Sequence, residues 1–323
     1  MNVLLFLGAG FSKEAGLPLQ KDFHEHTQRL RQLPSFLEYY RGISAAYYLA
    51  QYLTNKDWQK VTLEDAFGAL EYTFFAHRSD YKVAYLENML DSHSFVKSSK
   101  GIPIGDARRG FLMALETVFR PKSVNPLESY ENMDLYKLFF EKILHKTGDL
   151  KIITTNYDLV CENALKLSLP SGSPRYPDPF SFYRRNVFSV PILKLHGSVD
   201  WKETRIDPPN IIPPTWMKRY DVSDKYHLIW TEAERVINDS SLLIFIGYSM
   251  PEIDRGIQYL IRSGLQPSVS GSPDKRVIVL TKEDEIEERF RTVVKVNNVG
   301  EPEIIPMYLR EFIESGKLDD ILD

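Results

Sequence analysis

Cysteine is almost missing from this sequence, and its scarcity excludes two common kinds of framework. Cys161 is the single cysteine among 323 residues. One thiol builds neither an intrachain disulfide nor a four-cysteine zinc site. We therefore expect an intracellular fold that depends on its apolar core.

Long apolar runs are missing as well. A helix that crosses a membrane needs about 20 apolar residues in succession, and no stretch of the sequence reaches that length. The N-terminal run Val3–Gly8 is short and follows no basic residue, whereas a secretory signal has a basic start and an apolar core of roughly 7–15 residues. The run suits a buried parallel strand, and we expect a soluble, cytoplasmic protein without membrane contact.

An excess of basic residues is the third absence. The chain has 40 Lys and Arg against 44 Asp and Glu, which gives a net charge of −4 at pH 7. A protein that binds the phosphate backbone of nucleic acids normally has a basic excess or a basic stripe. Direct binding of nucleic acid is therefore disfavoured, and Arg184 and Arg185 form a local basic pair as the exception.

A glycine turn follows the first apolar run, in the stretch "GAGFSKEAGLP" that begins at Gly8. A strand, a glycine turn and a helix start together make an anion site from free N–H groups. The usual dinucleotide fingerprint G-x-G-x-x-G needs a third glycine where this chain has Lys13, and no second strand with an acidic end follows. A nucleotide site and a plain glycine-rich turn are both compatible with these residues.

The segment from about residue 20 to 147 has helical periodicity. In "LEDAFGALEYTFFA", Leu63, Phe67, Leu70 and Phe74 recur at spacings of three and four, which places them on one helix face. We predict that residues 20–147 form a helical insertion or subdomain. Residues 1–19 and 148–323 are then expected to form a Rossmann-type nucleotide-binding core.

Four further apolar runs restore a strand pattern after this insertion, in "LKIITTNYD", "VPILKLHGSVDW", "SLLIFIGYSMPEID" and "KRVIVLTKED". Helical patterns follow three of them, at 159–167, 254–263 and 283–292. This alternation predicts an α/β fold, a Rossmann-like doubly wound parallel sheet with a large all-helical insertion. Ligands bind beyond the carboxyl ends of the strands in such sheets, where the chain places its polar clusters.

Two proline-rich stretches interrupt the alternation, "LPSGSPRYPDPFSFYRR" and "DPPNIIPPTW". Each lies near a strand whose end is polar. They are lids or substrate loops, or they are ordinary structural excursions.

The polar strand ends resemble those of one known family. "GAGFSKEAGLP", "TTNYD", "LHGSVDW" and "IGYSM" occur in the order and approximate spacing of the sirtuin superfamily. They resemble the sirtuin-like NAD-hydrolase domains of bacterial antiphage-defence proteins more than the protein deacylases. The resemblance covers about residues 1–19 and 148–300.

The resemblance implies that NAD binds at the sheet edge as a substrate and loses its nicotinamide. It implies catalytic roles for Asn156 beside the nicotinamide ribose, for His196, and for Asp158, which alternatively caps the following helix. The residues expected to contact NAD are Gly8, Ala9, Gly10, Ser12, Gly16, Thr155, Tyr157, Gly197, Gly247, Tyr248, Ser249 and Thr281.

One difference from the deacylases, the lack of zinc-binding cysteines, limits which reaction the resemblance implies. Their zinc module needs two pairs of cysteines, so we expect no zinc and no metal site in this chain. NAD cleavage without peptide deacylation then fits better. The resemblance also implies a role in antiphage defence by NAD depletion, with control by homo-oligomerisation or by a partner such as an ATPase or a sensor protein.

The chemistry of Asn156 and His196 agrees with a glycohydrolase. An amide offers a donor and an acceptor for a ribose hydroxyl or water, and a histidine side chain titrates near neutrality. We expect the other six histidines to be surface or core residues. A non-catalytic sensor or scaffold that binds NAD or ADP-ribose, an ADP-ribosyltransferase and a deacylase stay as alternatives.

Overall fold

The computed structural model describes residues 2–30, 34–77, 79–84, 101–169, 190–204, 207–212, 224–252, 254–266, 275–294 and 299–323. They form two compact units. The sheet unit comprises Met1–Gly16, Pro121–Gly197 and Arg219–Asp323, and the helical unit comprises Leu17–Arg120 and Ser198–Lys218. Most of the two proline-rich stretches, with Arg184 and Arg185, lies outside the described residues.

The sheet unit contains six parallel strands. They are β1 (Asn2–Leu7), β2 (Asp149–Thr154), β3 (Ile192–Lys194), β4 (Leu242–Ile246), β5 (Arg276–Leu280) and β6 (Glu303–Ile305). Their order is β3-β2-β1-β4-β5-β6, with every neighbouring pair parallel. Almost all residues of β1, β4 and β5 are buried, as in sheets that are covered on both faces. The predicted Rossmann-like α/β sheet is confirmed. The insertion is not all-helical, because Lys82–Val83 and Ile102–Pro103 form a short antiparallel strand pair in it.

The strand order reverses between β1 and β4, and this reversal locates the site. The chain adds β2 and β3 on one side of β1, and then returns to add β4, β5 and β6 on the other side. Right-handed crossovers place the helices of the two halves on opposite faces. The crevice between the carboxyl ends of β1 and β4 is therefore the topological switch point, where doubly wound sheets bind their ligands.

The helices of the described residues are α1 (Phe23–Leu30), α2 (Pro34–Thr54), α3 (Leu63–Ala76), α4 (Ile104–Phe119), α5 (Met133–Lys146), α6 (Val160–Ser168), α7 (Asp224–Asp239), α8 (Arg255–Leu265), α9 (Asp284–Val294), α10 (Leu309–Glu314) and α11 (Lys317–Leu322). The three helices predicted after the strands are confirmed as α6, α8 and α9. Strand β6 was not predicted, because its apolar run consists of Ile304 and Ile305 alone, between Glu303 and Pro306. None of the described helices has the length and apolarity that crossing a bilayer requires.

The helical unit packs α2, α3 and α4 around an aromatic core. The Phe67 and Phe111 rings lie 5.2 Å apart between their centroids. The face predicted for α3 is confirmed for Leu63, Phe67 and Leu70, which are buried. Phe74 on the same face is partly exposed, and its ring lies 5.1 Å from the guanidinium carbon of Arg108.

Helix α5 belongs to the sheet unit, because its aromatic side chains pack on the turn after β1. The ring centroid of Phe11 lies 5.1 Å from that of Tyr136 and 5.9 Å from that of Phe139. The Tyr136 hydroxyl donates to the Phe11 carbonyl at 2.7 Å. The predicted domain division at residues 19/20 and 147/148 stays a prediction.

Candidate active site

Three glycines bring the turns after β1 and β4 into backbone contact at the switch point. The Gly8 N–H donates to the Ile246 carbonyl at 3.0 Å, and the Gly10 N–H donates to the Gly247 carbonyl at 2.8 Å. Gly247 has φ +66°, and a Cβ atom on it would stand 2.1 Å from the Phe11 nitrogen. These positions need glycine because a side chain would separate the two turns.

Further backbone hydrogen bonds within this turn engage N–H groups that the sequence predicted to be free for an anion. Phe11 N–H donates to Gly8 and Ser12 N–H donates to Ala9, at 2.9 and 3.2 Å. The turn continues as a short 3-10 helix, Phe11–Ala15, and not as a long α-helix. In this conformation the glycines serve backbone packing, and their role in binding a phosphate stays a prediction.

Asn156 joins the end of β2 to the turn after β1. Its Nδ2 group donates to the Gly8 carbonyl at 2.9 Å and to Ser12 Oγ at 3.1 Å. Its backbone N–H donates to Thr154 Oγ1 at 3.1 Å, so both ends of the residue are fixed. Asn156 is half-buried, and its Oδ1 accepts no hydrogen bond from the described residues. This oxygen is an acceptor for a ligand or for water.

Asp158 is buried, and Ser12 links it to Asn156 by hydrogen bonds. Its Oδ1 accepts from the N–H of Val160 at 3.0 Å, and the Ser12 hydroxyl donates to its carboxylate. Burial raises the pKa of the Asp158 carboxyl, while the charge of Lys194 and these hydrogen bonds partly offset the rise. Asp158 therefore satisfies an N–H at the start of α6, and it also joins Ser12 and Asn156 in one network.

A buried ion pair beneath this network was missed in the sequence. Lys194, the last residue of β3, is 1% exposed and places its Nζ 2.9 Å from Glu162 Oε1 in the first turn of α6. The same Nζ donates to the backbone carbonyl of Asp158. A lysine inside the apolar stretch "VPILKL" is the signal for such a pair, because buried charges need partners.

His196 lies in a tight turn directly after β3. Leu195 fixes this turn from both sides, since its N–H donates to Thr154 at 3.0 Å and its carbonyl accepts from Trp230 Nε1 at 3.2 Å. Gly197 allows the turn with φ +84°. The residue His196 is 2% exposed, and its ring centroid lies 6.4 Å from that of Tyr157, the residue between Asn156 and Asp158.

Asp254 is the second residue that sequence reasoning missed. Its Oδ2 lies 3.4 Å from His196 Nε2, and the two side chains are 1% and 3% exposed. Asp254 precedes α8, so the chain after β4 reaches across the carboxyl edge to the turn after β3. In the sequence it is an ordinary acidic residue at a helix start.

The structure spreads the remaining predicted contacts along the sheet edge. Buried Tyr248 packs its ring 4.9 Å from Phe6, and exposed Ser249 accepts from Arg289 through its carbonyl at 3.3 Å. Thr281 follows β5, two strands away from β1. Thr155 donates its N–H to Leu7 at 3.1 Å, and Gly16 ends the 3-10 helix with φ +79°.

Among the described residues, no group of three or more His, Cys, Asp and Glu side chains is arranged to hold a metal ion. Cys161 is buried in α6, and burial raises the pKa of its thiol. The expected absence of zinc stays a prediction.

With this geometry established, the comparison with protein families is decisive. The model of the SIR2-like domain family matches residues 150–299. Residues 150–299 are therefore similar to the SIR2-like domain family. Asn156, Asp158, His196, Gly247 and Asp254 all fall inside the matched residues, and the resemblance to sirtuins seen in the strand ends is confirmed.

Solved sirtuin structures are similar to the whole chain at low identity. A Sir2 complex with the inhibitor EX-527, 2'-O-acetyl-ADP-ribose and a deacetylated p53 peptide is 14% identical, with 100% of this chain and 95% of that chain covered and a TM-score of 0.41. A structure from a study of the mechanism and regulation of Sir2 enzymes is 13% identical, with 99% and 93% covered and a TM-score of 0.44. A complex of Sir2 with a p53 peptide and NAD+ is 12% identical, with 100% and 94% covered and a TM-score of 0.40. No curated protein sequence matches the chain.

Proposed function

We propose that this SIR2-like protein is an NAD glycohydrolase that cleaves NAD to nicotinamide and ADP-ribose. One observation carries the proposal: hydrogen bonds join Ser12, Asn156 and Asp158 at the switch point of the sheet, with His196 close by. The His196 ring lies near Tyr157, which is between Asn156 and Asp158 in the turn after β2. Doubly wound sheets bind dinucleotides at this position, and a SIR2-like domain supplies the family context.

The proposed pose follows the sheet edge. The nicotinamide ribose lies against Asn156, whose Oδ1 accepts from a ribose hydroxyl or orients the attacking water. The pyrophosphate lies over the Gly8–Ser12 turn, and the adenosine half extends toward Ser249 and Thr281. The order of the strands β2, β1, β4 and β5 supports this direction.

The proposed reaction exchanges one bond at the ribose. The bond between ribose C1' and the nicotinamide nitrogen breaks, and its electron pair neutralises the cationic ring, so the leaving group needs no acid. The ribose passes through an oxocarbenium-like state, and water forms the new C1'–O bond. His196 accepts the proton of this water or of a ribose hydroxyl, and general-base help of this kind contributes about 10²–10⁴-fold.

The test is nicotinamide release from NAD by purified protein, with products separated by chromatography. We expect wild type to release nicotinamide and ADP-ribose, and His196→Ala and Asn156→Ala each to lose about 100-fold or more of the rate. His227→Ala removes an exposed imidazole from α7 and is the matched control. Undiminished turnover in both site variants would contradict the site assignment.

A second candidate is a binding module that retains the site without turnover. The near-complete burial of His196 favours it, because substrate must reach an imidazole that is closed off from solvent. Calorimetric binding of NAD or ADP-ribose, together with no product from wild type at any protein concentration, would establish this alternative.

We further propose that the activity is cytoplasmic, serves antiphage defence and is controlled by self-assembly or by a partner protein. The helical insertion is the proposed place of these contacts, and its unit exposes Tyr52, Tyr72, Phe75 and Tyr81. We expect the specific activity to rise with protein concentration together with the mass measured by light scattering. Constant specific activity across a rise in mass would contradict control by self-assembly.

A further inference from the structure

We propose that Asp254 is a positioning residue that orients the His196 ring and keeps a proton on Nε2, so that Nδ1 is the nitrogen that acts as the base. The catalytic part of this inference rests on the proposed function. The pairing of the two side chains does not, and it has its own measurement below.

The first support is the geometry of the pair. The 3.4 Å from Nε2 to Oδ2 is an ion-pair distance, and both side chains are almost fully buried. Buried polar groups that have lost water need partners, and attraction between charges is stronger where water is excluded. A carboxylate at Nε2 favours the tautomer with a proton there and also favours the imidazolium.

The second support is that Asp254 does not cap its helix. An Asp that precedes a helix usually accepts a backbone N–H of the first turn. The side chain of Asp254 makes no such bond to α8. The usual structural reason for an aspartate at this position therefore does not account for its orientation toward His196.

The third support is the backbone hydrogen bonding around Asp254. The Asp254 N–H donates to the Pro251 carbonyl at 3.1 Å, and the Asp254 carbonyl accepts from Ile257 at 3.0 Å. Buried Met250 has φ +52°, a conformation that costs a non-glycine residue about 1–3 kcal/mol. The surrounding fold thus maintains an unfavourable backbone, and this backbone delivers Asp254 from β4 to the far side of β1.

Three titratable groups on the neighbouring elements, Lys194, Glu162 and Asp158, have identified interactions of their own. The Lys194–Glu162 pair joins opposite charges, and the Asp158 carboxylate accepts from Val160 and Ser12. The titratable groups on the turn after β2, the first turn of α6, the end of β3 and the start of α8 are Tyr157, Asp158, Cys161, Glu162, Lys194, Glu252, Asp254 and Arg255. Helix α7, whose Trp230 donates to Leu195, adds Tyr226, His227, Glu232, Glu234, Arg235 and Asp239. The Asp254 carboxylate lies within ion-pair distance of the imidazole.

The consequence is a specific pH dependence. The base form of His196 is neutral, so nicotinamide release rises with pH as the imidazole loses its proton. A carboxylate partner moves this rise to higher pH. In Asp254→Asn we expect the rise to shift about one pH unit lower, because an opposite charge at this range shifts titration by about 1–3 units. The plateau should fall about 10-fold or more, because the base is weaker and its tautomer is no longer fixed.

The experiment combines pH–rate profiles with nitrogen NMR of protein labelled at histidine. His196→Gln identifies the His196 signals by their loss. We expect wild type to show Nε2-protonated neutral His196, and Asp254→Asn to lower its titration midpoint by about one pH unit. Asp254→Glu keeps the charge and should restore part of the plateau. Asp284→Asn removes an exposed charge at the start of α9 and should change neither readout.

Three outcomes would overturn the inference: a wild-type His196 protonated at Nδ1, an unchanged titration midpoint in Asp254→Asn, or a lowered plateau without any pH shift. The wild-type measurement does not use Asp254→Asn, so it decides even if that variant fails to fold. If wild type releases no nicotinamide but the NMR results are as expected, the pairing is supported and the proposed reaction alone fails.

Discussion

Ser12 has a larger role than the sequence suggested, because its hydroxyl connects two of the predicted catalytic side chains. It accepts from Asn156 Nδ2 at 3.1 Å and donates to the Asp158 carboxylate. This chain of hydrogen bonds orders the amide, so that its Oδ1 is presented in one direction. The cost is a carboxyl group that is buried in a place where its charged form is disfavoured.

Asp158→Asn should therefore stabilise the protein progressively as pH rises. The folded-state pKa of Asp158 lies above its ordinary value, so the folded state holds this proton more tightly than the unfolded state. Wild type loses the corresponding stability as pH rises through that pKa, and asparagine does not. Urea unfolding between pH 4 and 8 measures the difference. A difference that is constant with pH, or one matched by exposed Asp134→Asn in α5, would contradict the argument.

Lys194→Met should destabilise the sheet unit by about 3–5 kcal/mol, because it leaves the Glu162 carboxylate buried without its cation. Adding Glu162→Leu should recover most of this loss, since an apolar pair of similar volume is often as stable as a buried ion pair. Denaturant unfolding of the single and double variants tests both steps. If the double variant is no more stable than the single one, the pair is not the source of the loss.

At the level of elements, the contact between the turns after β1 and β4 depends on Gly247. Gly247→Ala should cost at least about 2 kcal/mol, because a Cβ atom at φ +66° would stand 2.1 Å from a backbone nitrogen and alanine disfavours this conformation. Gly148→Ala is the control, since a Cβ there meets no atom within 4 Å. Thermal unfolding of both variants provides the measurement, and equal effects would contradict the packing role.

The elements themselves were largely predictable, and their contacts were not. The apolar runs of β1, β2, β4 and β5 are visible because parallel strands buried on both faces have unbroken apolar sequence. The 3.6-residue period of α3 is visible for a similar reason. The 3-10 form of Phe11–Ala15 was not predictable, because it depends on the Gly10 N–H bonding to Gly247.

For the whole molecule, the free energy of unfolding should depend on pH partly through His24, which lies in the helical unit. Burial lowers the pKa of His24 from 6.5 to about 3. The unfolded chain binds a proton first as pH falls, so stability is lost below pH 6.5. We expect this residue to cost about 2 kcal/mol between pH 7 and pH 5.

Comparison of His24→Gln with wild type isolates that contribution. The variant should lose less stability than wild type over this range, measured by urea unfolding at both pH values. His77→Gln removes an exposed imidazole from the same unit and should behave as wild type. Equal losses in all three proteins would contradict a depressed pKa at His24.

The sequence alone determined the α/β class, the strand-end positions of Asn156, Asp158 and His196, and the need for glycine after β1. These features are local, because they follow from runs, periods and turn residues that are neighbours in the chain. Only the tertiary structure decided that Gly247 lies on Gly10, that Lys194 pairs with Glu162 and that Asp254 faces His196. Such partners come together through the order and register of parallel strands, and no period in the sequence records which strand ends will meet.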